Sequence, residues 1–419
     1  MVVLAAVAVA FVLSYFGVRT AVAERSSERA DAPGLQSAVR LEQGNPDYWY
    51  RLGHFQQFNL EEADPSQAEE FFLRAIFIYP NHTDAWLDLA TSYELDGKKE
   101  KARDAFNHAK QSYPGSAEVS WRYGNFLLRD GELTAAYAEL RHAVELDPRR
   151  APSAFSRCYR ANADIDAILN DVLPAESSAY ISVVEEAVSS RQFSVAQIVW
   201  KRLLTLRPHL IVRDFALLVN GLMAEGEFVE ARRVWEEGVA TMNLPPLYRP
   251  QGSVIWDPSF ESEIKNVPFA WQYQPLTQGT QILLDSSEKL TGALSLRLSF
   301  DGKQNPGLEA ACTLVLVDPG KSYRLSGWVK TQDLTTDRGI DFHIHPIGPA
   351  NQPVVETRDI RGSSAWTFVD LPWTVPRDVH RAAVCVARDP SDTVGVHVSG
   401  MAWVDDVVLI PQGPETHKP

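Results

Sequence analysis

The feature that most constrains the fold is a repeat in the first half of the chain. Pro80, Pro114 and Pro148 follow one another at equal intervals. Gly97 and Gly131 hold equivalent places between them, and large and small apolar residues recur around both glycines. Self-similarity at a period of about 34 residues is typical of stacked helix pairs. One pair cannot bury its apolar face alone, so neighbouring pairs must stack.

The repeated positions agree over three copies of the unit. They are Trp49, Leu52, Gly53, Ala68, Phe72 and Ala75, then Trp86, Leu89, Ala90, Tyr93, Gly97, Ala102, Phe106 and Ala109, then Tyr123, Gly124, Leu127, Gly131, Ala136, Leu140 and Ala143. Small residues let paired helices approach closely, and each proline ends a second helix. This pattern resembles the tetratricopeptide repeat. The resemblance implies a groove, lined by the first helix of each pair, that binds a protein or peptide.

The array continues beyond the third copy with weaker agreement. The fourth and fifth copies contain Tyr180, Val183, Ala196, Trp200 and Pro208, and Phe215, Leu218, Leu222, Gly226, Ala231 and Trp235. We expect residues 149–174 to form irregular helices and residues 35–44 to form a capping half-unit. The repeat domain is therefore assigned to residues 45–245, and residues 24–44 are assigned to a linker and capping helix.

Six side chains are expected to line the groove. They are Tyr50, His54, Leu87, Thr91, Trp121 and Asn125. Trp121 has two interpretations, because it can anchor a ligand in the groove or pack inside the third unit in place of Ser120. Four further tryptophans are expected in the helical core, at positions 49, 86, 200 and 235.

The N-terminal segment is strongly apolar. Residues 1–18 carry no charged side chain, which is close to the length that a helix needs to span a bilayer. TAVA at 20–23 resembles a signal-peptidase site, so residues 1–23 are either an uncleaved membrane anchor, which we favour, or a cleaved export signal. Both place the chain in the cell envelope, facing the periplasm or exterior, or secrete it. Arg19, Arg25 and Arg29 follow the apolar run. Applied strictly, the positive-inside rule would therefore leave the rest of the chain, after the apolar run, in the cytoplasm.

The charge balance excludes one class of partner. The chain has 40 Lys and Arg against 54 Asp and Glu, a formal net charge of −14. Nucleic-acid binding draws its affinity from basic residues that displace counterions from phosphates. We therefore expect no nucleic-acid partner.

The second half of the chain has a different pattern. Beyond about residue 245 the helical period gives way to alternation of apolar and polar residues, which indicates short antiparallel strands. The predicted strands are 294–300, 308–317, 322–331, 340–347, 353–360, 365–375, 381–389 and 401–411. The expected fold class is a multidomain α plus β protein, with an N-terminal α-solenoid of helix hairpins and a C-terminal antiparallel β-sandwich of jelly-roll type.

Four short segments carry a second resemblance. DPSFE at 257–261, FAWQY at 269–273, DPGKSYRLSGWVKT at 318–331 and WVDDVVL at 403–409 follow in this order. The order is similar to that of the galactose-binding-like carbohydrate-binding modules, and it covers residues 253–411, leaving 412–419 as a tail. Helical repeats followed by this module also resemble uncharacterised bacterial envelope proteins.

The resemblance implies a structural calcium ion and a sugar-binding face. The matching calcium positions are Asp257, Glu261, Asp405 and Asp406, whose oxygens suit Ca²⁺. Alternatively, one Asp of the final pair points to solvent and the other carboxylates bind backbone amides. No other cofactor is expected. On the strand at 340–347, Ile340, Phe342 and Ile344 would point inward and Asp341, His343 and His345 outward. Glu356 and Arg358 are expected beside them in a carbohydrate site that lacks a tryptophan platform, because Trp328, Trp366 and Trp403 are assigned to the core.

Two further alternatives stay open on the same sheet. His343 and His345 share a face with Asp341, so they form either a partial zinc site or an exposed polar surface. Cys312 and Cys385 are expected on neighbouring strands, where they either pair as a disulfide in an oxidising compartment or serve as small core residues.

These features favour a non-catalytic scaffold at the envelope, binding a protein or peptide in the groove and, as a further expectation, a polysaccharide on the sandwich. The alternative is a polysaccharide-acting enzyme with Asp341 and Glu356 as its two carboxylates. The sequence contains no G-x-S-x-G motif, no H-E-x-x-H motif and no phosphate-binding glycine loop, so we expect no enzyme activity.

Overall fold

The computed structural model describes residues 2–29, 31–59, 63–244, 247, 249–264, 267–274, 279–349, 351–393 and 395–412. Apart from Gln412, the expected C-terminal tail lies outside the described residues. Contacts divide the chain into two compact units, residues 1–186 and 187–419. This division falls upstream of the boundary expected between the repeats and the sandwich.

The first unit consists of helices. Their bounds are α1 Val2–Ser27, α2 Ala32–Leu41, α3 Pro46–Phe58, α4 Pro65–Ile78, α5 Thr83–Leu95, α6 Lys99–Ser112, α7 Ala117–Asp130, α8 Leu133–Leu146, α9 Ala151–Ala161, α10 Ile165–Asp171 and α11 Ser177–Ser189, the last of which runs into the second unit. Side chains of Asp31, Asn45, Asp64, Ser116 and Asp164 accept hydrogen bonds from first-turn amides and fix where five of these helices begin.

The predicted repeats are helix hairpins, with α3 and α4, α5 and α6, and α7 and α8 as the three pairs. Gly53 and Gly124 allow the close approach, because an added Cβ would lie 2.9 Å from Phe72 and 2.8 Å from Leu140 of the paired helix. The turn residue Gly131 has φ of 84°, a conformation that glycine adopts without strain. The α-solenoid assignment is therefore confirmed.

The C-terminal end of the long helix α1 packs against α2 and α3. Its stretch Ala6–Ser27 is long and apolar enough to cross a membrane by length and composition. Ala23 is 0% exposed and joins an apolar cluster with Leu35 and Leu52. The hydroxyl of Tyr48 donates to Glu24 at 2.7 Å. The segment expected as anchor and linker is thus one continuous helix whose end packs on the repeats.

The second unit combines three helices with a two-sheet sandwich. Its bounds are α12 Phe193–Thr205, α13 Val212–Ala224, α14 Phe228–Ala240, β1 Gln272–Tyr273, β2 Thr280–Asp285, β3 Ser295–Asp301, β4 Leu308–Leu316, β5 Ser322–Leu334, β6 Asp341–Ile347, β7 Val355–Glu356, β8 Gly362–Thr374, β9 Arg381–Arg388 and β10 Ser399–Pro411. Sheet A has the order β1-β4-β9-β6-β7 and sheet B the order β2-β3-β10-β5-β8. All pairs are antiparallel, as expected for a jelly roll.

The strand predictions differ from the structure at β1, β2 and β7. β1 was not predicted as a strand. β2 was not predicted, since its sequence TQILLD does not alternate strictly. The strand expected at 353–360 is reduced to Val355–Glu356. The sandwich core lies between the two sheets and includes Leu298, Val329, Phe342, Val384 and Val404.

Helix α14 packs directly on the sandwich within the second unit. Trp235 is 0% exposed, and its ring centre lies 5.2 Å from that of Trp256. Arg381 of β9 places its guanidinium 4.0 Å from the ring centre of Phe228. The last helix hairpin and the sandwich therefore share apolar packing.

Candidate functional site

Three polar residues at one repeat position form a chain of contacts across three helices. His54 on α3, Asp88 on α5 and Arg122 on α7 occupy the same place in three successive repeats. Nδ1 of His54 lies 2.8 Å from Oδ2 of Asp88, and Nη2 of Arg122 donates to Oδ1 of Asp88 at 2.9 Å. We call these three residues the ladder. We call the surface formed by α3, α5, α7 and α9, on which the ladder lies, the first-helix face.

The carboxylate at the centre of the ladder is buried. The Asp88 side chain is 4% exposed, and a buried charge is tolerated only when it is paired. Burial raises the pKa of Tyr50, and the charge of Asp88 raises it further. Nη2 of Arg122 also donates to Oγ1 of Thr91 at 2.6 Å and to the Leu87 carbonyl at 3.1 Å. The ladder thus links the first helices of three repeats.

Trp121 lies beside the ladder under two arginines. The Cζ atoms of Arg157 and Arg150 lie 4.9 Å and 5.3 Å from the centre of its ring, which is a cation–π arrangement. Nη1 of Arg157 donates to Oδ1 of Asn125 at 2.8 Å. Ser120, which is 1% exposed, takes the core position. Trp121 therefore stays half-buried on the first-helix face.

Positive charge gathers at one end of this face. Arg129, Arg157 and Arg160 are at least partly exposed, and we call them the arginine cluster. Burial lowers the pKa of Arg157, and the charges of Arg160 and Arg129 lower it further. Arg129 donates to Glu94 through two hydrogen bonds of 2.6 Å and 2.8 Å. Within the described residues, Arg157 and Arg160 donate only to uncharged oxygens.

Of the six expected groove residues, Tyr50, His54, Thr91 and Trp121 are at least partly exposed on the first-helix face, whereas Leu87 and Asn125 are buried. Leu87 is 1% exposed and belongs to the core. It occupies the repeat position of Gly53, which faces Phe72 of the paired helix, so its side chain does not reach the face. The side chain of Asn125 is buried beneath Arg157.

Sequence reasoning missed Asp88, Arg122 and the arginine cluster. The repeat period could have identified Asp88 and Arg122, because Asp88 lies one repeat period after His54 and Arg122 lies two periods after it. A cavity of about 380 Å³ opens at the α3 end of the face. Ser27, Tyr50, Arg51 and His54 are among its lining residues.

Strand β6 alternates as predicted. The apolar residues of this segment, all 0% exposed in the sandwich core, are Ile340, Phe342 and Ile344. Asp341 and His343 occupy the opposite face of sheet A and are each 6% exposed, while the His345 side chain is 30% exposed. The predicted polar patch exists, but it is more deeply set than an open sugar-binding face.

Glu309 of β4 joins this patch and was not predicted. Its Oε1 lies 2.6 Å from Nε2 of His345. Nε2 of His343 lies 3.3 Å from Oδ2 of Asp341. Glu356 is exposed nearby, and its carboxylate lies within 4.8 Å of ligand atoms of Asp341 and His343.

Arg358 does not take part in the patch. Its Nη2 donates to the carbonyl of Phe368 on β8 at 3.1 Å. The structure therefore groups four of the five expected carbohydrate-site residues and directs the fifth toward the other sheet.

Two residues of the patch, His343 and Asp341, have pKa values raised above their ordinary values. Burial opposes protonation of His343, but the carboxylates of Asp341, Glu356 and Asp389 outweigh it and raise the pKa of His343. Burial also raises the pKa of Asp341, against the opposing effect of His343.

Cys312 and Cys385 form a disulfide across neighbouring strands β4 and β9. Oε2 of Glu309 lies 3.6 Å and 3.7 Å from their sulfur atoms. Of the two interpretations open from the sequence, the structure contains the disulfide. Cys158 is free and buried, and burial raises the pKa of its thiol to about 12.

The four carboxylates expected to bind calcium are occupied by protein donors. Asp257 accepts from the amides of residues 261 and 262, Glu261 from those of residues 293 and 294, and Asp405 from those of residues 290 and 291. Asp406 accepts from two hydroxyls. Burial raises the pKa of both Asp257 and Asp405 to about 6. Backbone amides therefore engage Asp257, Glu261 and Asp405, and hydroxyl groups engage Asp406.

The outward aromatic residues lie on sheet B. Trp328 and Phe368 are cross-strand partners with ring centres 5.3 Å apart, and Phe368 is 44% exposed. Trp366 is half-buried on the same strand as Phe368. Of the three tryptophans expected in the core, only Trp403 is buried, and its Nε1 donates to Asp285 at 2.9 Å. Outward-facing positions of β4, β6, β7 and β9 hold no such residue.

Comparison with known proteins finds likenesses to solved structures only. No family model matches the chain, and no curated protein matches it. YrrB, a TPR protein with an unusual peptide-binding site, is 12% identical with a TM-score of 0.28, over 50% of this chain and 93% of YrrB. MamA from Desulfovibrio magneticus RS-1 is 16% identical with a TM-score of 0.29, over 46% of this chain and 94% of MamA.

The sandwich has a neighbour of its own. A family 16 carbohydrate-binding module is 19% identical with a TM-score of 0.23, over 32% of this chain and 87% of the module. At these TM-scores the likenesses carry no argument about ligand or activity. The functional argument therefore rests on the geometry of the chain itself.

Proposed function

We propose that the protein is a non-catalytic scaffold whose first-helix face binds an acidic segment of a partner protein. The observation that carries the proposal is the arginine cluster, where Arg157 and Arg160 bear positive charge that no ion pair within the described residues neutralises. The chain as a whole has a net charge of −14, so positive charge concentrated on one face is a local feature.

Contacts along the same face support peptide binding. Trp121 offers a half-buried aromatic ring beside the cluster, and buried aromatic and arginine side chains commonly dominate binding energy at protein interfaces. Arginine also recognises carboxylates through paired hydrogen bonds. The ladder fixes the first helices relative to one another, which reduces the ordering cost when a peptide binds.

The proposal is tested with two fluorescein-labelled decapeptides, one rich in Asp and Glu and one rich in Lys and Arg. We expect fluorescence anisotropy to show binding of the acidic peptide alone, weakening as salt increases. The double variant Arg157→Ala/Arg160→Ala should lose at least about tenfold in affinity, which is ~1.4 kcal/mol.

Arg149→Ala is the matched control. Arg149 is 91% exposed and pairs with Asp147, so its removal leaves the first-helix face intact. Equal binding of both peptides, no binding of either, or equal losses in the control and the double variant would each overturn the proposal.

Polysaccharide binding is a second candidate function, and the outward aromatics of sheet B favour it. Trp328, Trp366 and Phe368 supply exposed or half-buried aromatic rings that the patch on sheet A lacks. Affinity electrophoresis in gels containing soluble polysaccharide should show retardation that Trp328→Ala abolishes. Retardation lost in Glu356→Gln and kept in Trp328→Ala would instead place the sugar on sheet A, as the sequence predicts.

The enzyme alternative depends on Asp341 and Glu356. The sequence contains no G-x-S-x-G motif and no H-E-x-x-H motif to support catalysis beside this pair. We therefore expect no turnover of polysaccharide. Hydrolysis that disappears in both Asp341→Asn and Glu356→Gln would establish the enzyme instead.

Membrane attachment through α1 is part of the proposed function. The stretch Ala6–Ser27 has the length and composition of a membrane span, and side chains from position 6 to position 22 are mostly exposed. We expect the full chain to stay with membranes after alkaline carbonate extraction. Release into the supernatant would refute an uncleaved anchor.

A further inference from the structure

We infer that Glu309, His343 and His345 form a binding site for a divalent transition metal, best suited to Zn²⁺, on the outer face of sheet A. The inference is independent of peptide binding on the helices. The ligand atoms of these three residues all lie within 4.8 Å of one another. Two imidazoles with one carboxylate is a known ligand set of zinc sites that keep a fourth position for water.

Glu309 and His345 are in close contact but do not form a hydrogen bond of normal geometry. Oε1 of Glu309 and Nε2 of His345 are 2.6 Å apart, yet Nε2 is a buried atom that makes no hydrogen bond within the described residues. A buried polar atom without a partner is costly. A Zn²⁺ ion bound by both atoms would satisfy both of them, with the two atoms moving apart to about 3.3 Å, the ligand separation of a tetrahedral site.

His343 is oriented by a carboxylate behind it. Nε2 of His343 lies 3.3 Å from Oδ2 of Asp341, and the two side chains are only 7% and 9% exposed. A metal-binding histidine commonly donates one ring nitrogen to a carboxylate and presents the other to the metal. Asp341 is thus a positioning residue in this site and not a ligand.

The small side chains of strand β9 allow Glu309 on β4 to contact the histidines on β6. β9 lies between β4 and β6, and it places Ala383, Cys385 and Ala387 opposite the outward residues of β6. These small side chains leave the space above β9 open. The disulfide from Cys385 to Cys312 ties β9 to β4, which fixes the strand that carries Glu309.

The ligand types favour zinc over calcium and magnesium. Imidazole nitrogen suits Zn²⁺, Cu²⁺ and Ni²⁺, whereas Ca²⁺ and Mg²⁺ take oxygen ligands. Glu309 and His345 are 37% and 30% exposed in their side chains, so an ion can enter from solvent.

The test is metal titration of the purified full chain after dialysis against EDTA, with the disulfide intact. Isothermal titration calorimetry with ZnCl₂ should show one site per chain, and Co²⁺ should give the visible absorption of a tetrahedral complex. Glu309→Gln and His345→Ala should each weaken Zn²⁺ binding at least tenfold. Asp341→Asn should weaken it about 10–100-fold, as expected of a positioning carboxylate.

Two control variants make the result specific. His397→Ala removes an exposed histidine of the same unit and should leave the affinity unchanged. Glu356→Gln tests the neighbouring group of Asp341, His343 and Glu356 and should weaken Zn²⁺ binding much less than Glu309→Gln does. Circular dichroism melts of every variant establish that each one is folded.

Absence of a Zn²⁺ site in the wild-type chain would overturn the inference. So would a loss in His397→Ala equal to that in His345→Ala. A loss confined to Glu356→Gln would overturn the assignment of Glu309 and place the ion on the other side of His343.

Discussion

At the residue scale, Asp88 shows how one repeat position couples three helices. Its carboxylate lies between His54 and Arg122 and is 4% exposed. Each partner comes from a different repeat, so the ladder adds a polar connection to the apolar packing of the solenoid. Because helix pairs contact only their nearest neighbours, such links affect how precisely the first helices align.

We expect Asp88→Ala to lower the free energy of unfolding by about 1–3 kcal/mol, because it leaves His54 and Arg122 without their shared carboxylate. Asp84→Ala is the matched control, since Asp84 lies at the start of the same helix and outside the ladder, and it should cost less than about 1 kcal/mol. Urea denaturation followed by far-UV circular dichroism measures both. Equal losses would mean that the ladder contributes nothing.

At the scale of elements, the ends of the sandwich strands are held by buried carboxylates of two kinds. Burial raises the pKa of Asp405 to about 6. Burial would also raise the pKa of Asp285, but hydrogen bonds from Ser287 and Trp403 and the charge of Arg297 hold it well below its usual value. The two groups therefore respond to pH in opposite directions.

We expect Asp405→Asn and Asp285→Asn to change the pH dependence of stability with opposite signs. The folded-state pKa of Asp405 exceeds the reference value of 3.8, so its contribution is fully present below that value and is lost as pH rises through about 6. The contribution of Asp285 is present above 3.8 and is lost as pH falls toward its lowered pKa. Urea unfolding from pH 3 to about 7 measures both slopes. Parallel changes in the two variants would contradict the assignment.

The disulfide between β4 and β9 gives a second prediction at this scale. In denaturant without reductant, we expect iodoacetamide to modify one thiol per chain, that of Cys158, and with reductant all three cysteines. The double variant Cys312→Ala/Cys385→Ala should lose about 2–4 kcal/mol of stability. Mass spectrometry after alkylation checks the pairing, and three modified thiols without reductant would disprove it.

At the scale of the whole molecule, α1 has two parts with different environments. Its apolar stretch is exposed, whereas Ala23, Glu24 and Ser27 at its end contact the first helices. Removal of residues 1–18 should leave the first unit as stable as before and release the chain from membranes. Removal of residues 1–27 should also cost about 2 kcal/mol or more, because the hydrogen bonds of Arg19, Thr20, Glu24 and Ser27 and apolar burial are lost. Thermal melts of the two truncated chains measure the difference, and identical melting temperatures would show that the end of α1 is not part of the fold.

The sequence by itself determined the architecture of both parts. The regular spacing of Pro80, Pro114 and Pro148 predicted the helix hairpins, and alternation at 340–345 separated the inward apolar residues from the outward polar ones. Both signals are local, because the spacing of apolar residues decides which face of a helix or strand is buried. The same period identifies Asp88 and Arg122 once it is applied to His54.

Only the tertiary structure decided which distant residues meet. Glu309 reaches His345 across β9, and this depends on strand order and on a register shift between Glu309 and Ala311. The carboxylates of Asp257 and Asp405 face backbone amides because of where two loops lie. Trp328 faces outward because of the parity of β5 in its sheet. Strand order, register and loop position arise from contacts between segments far apart in the chain, and no local pattern of residue types encodes them.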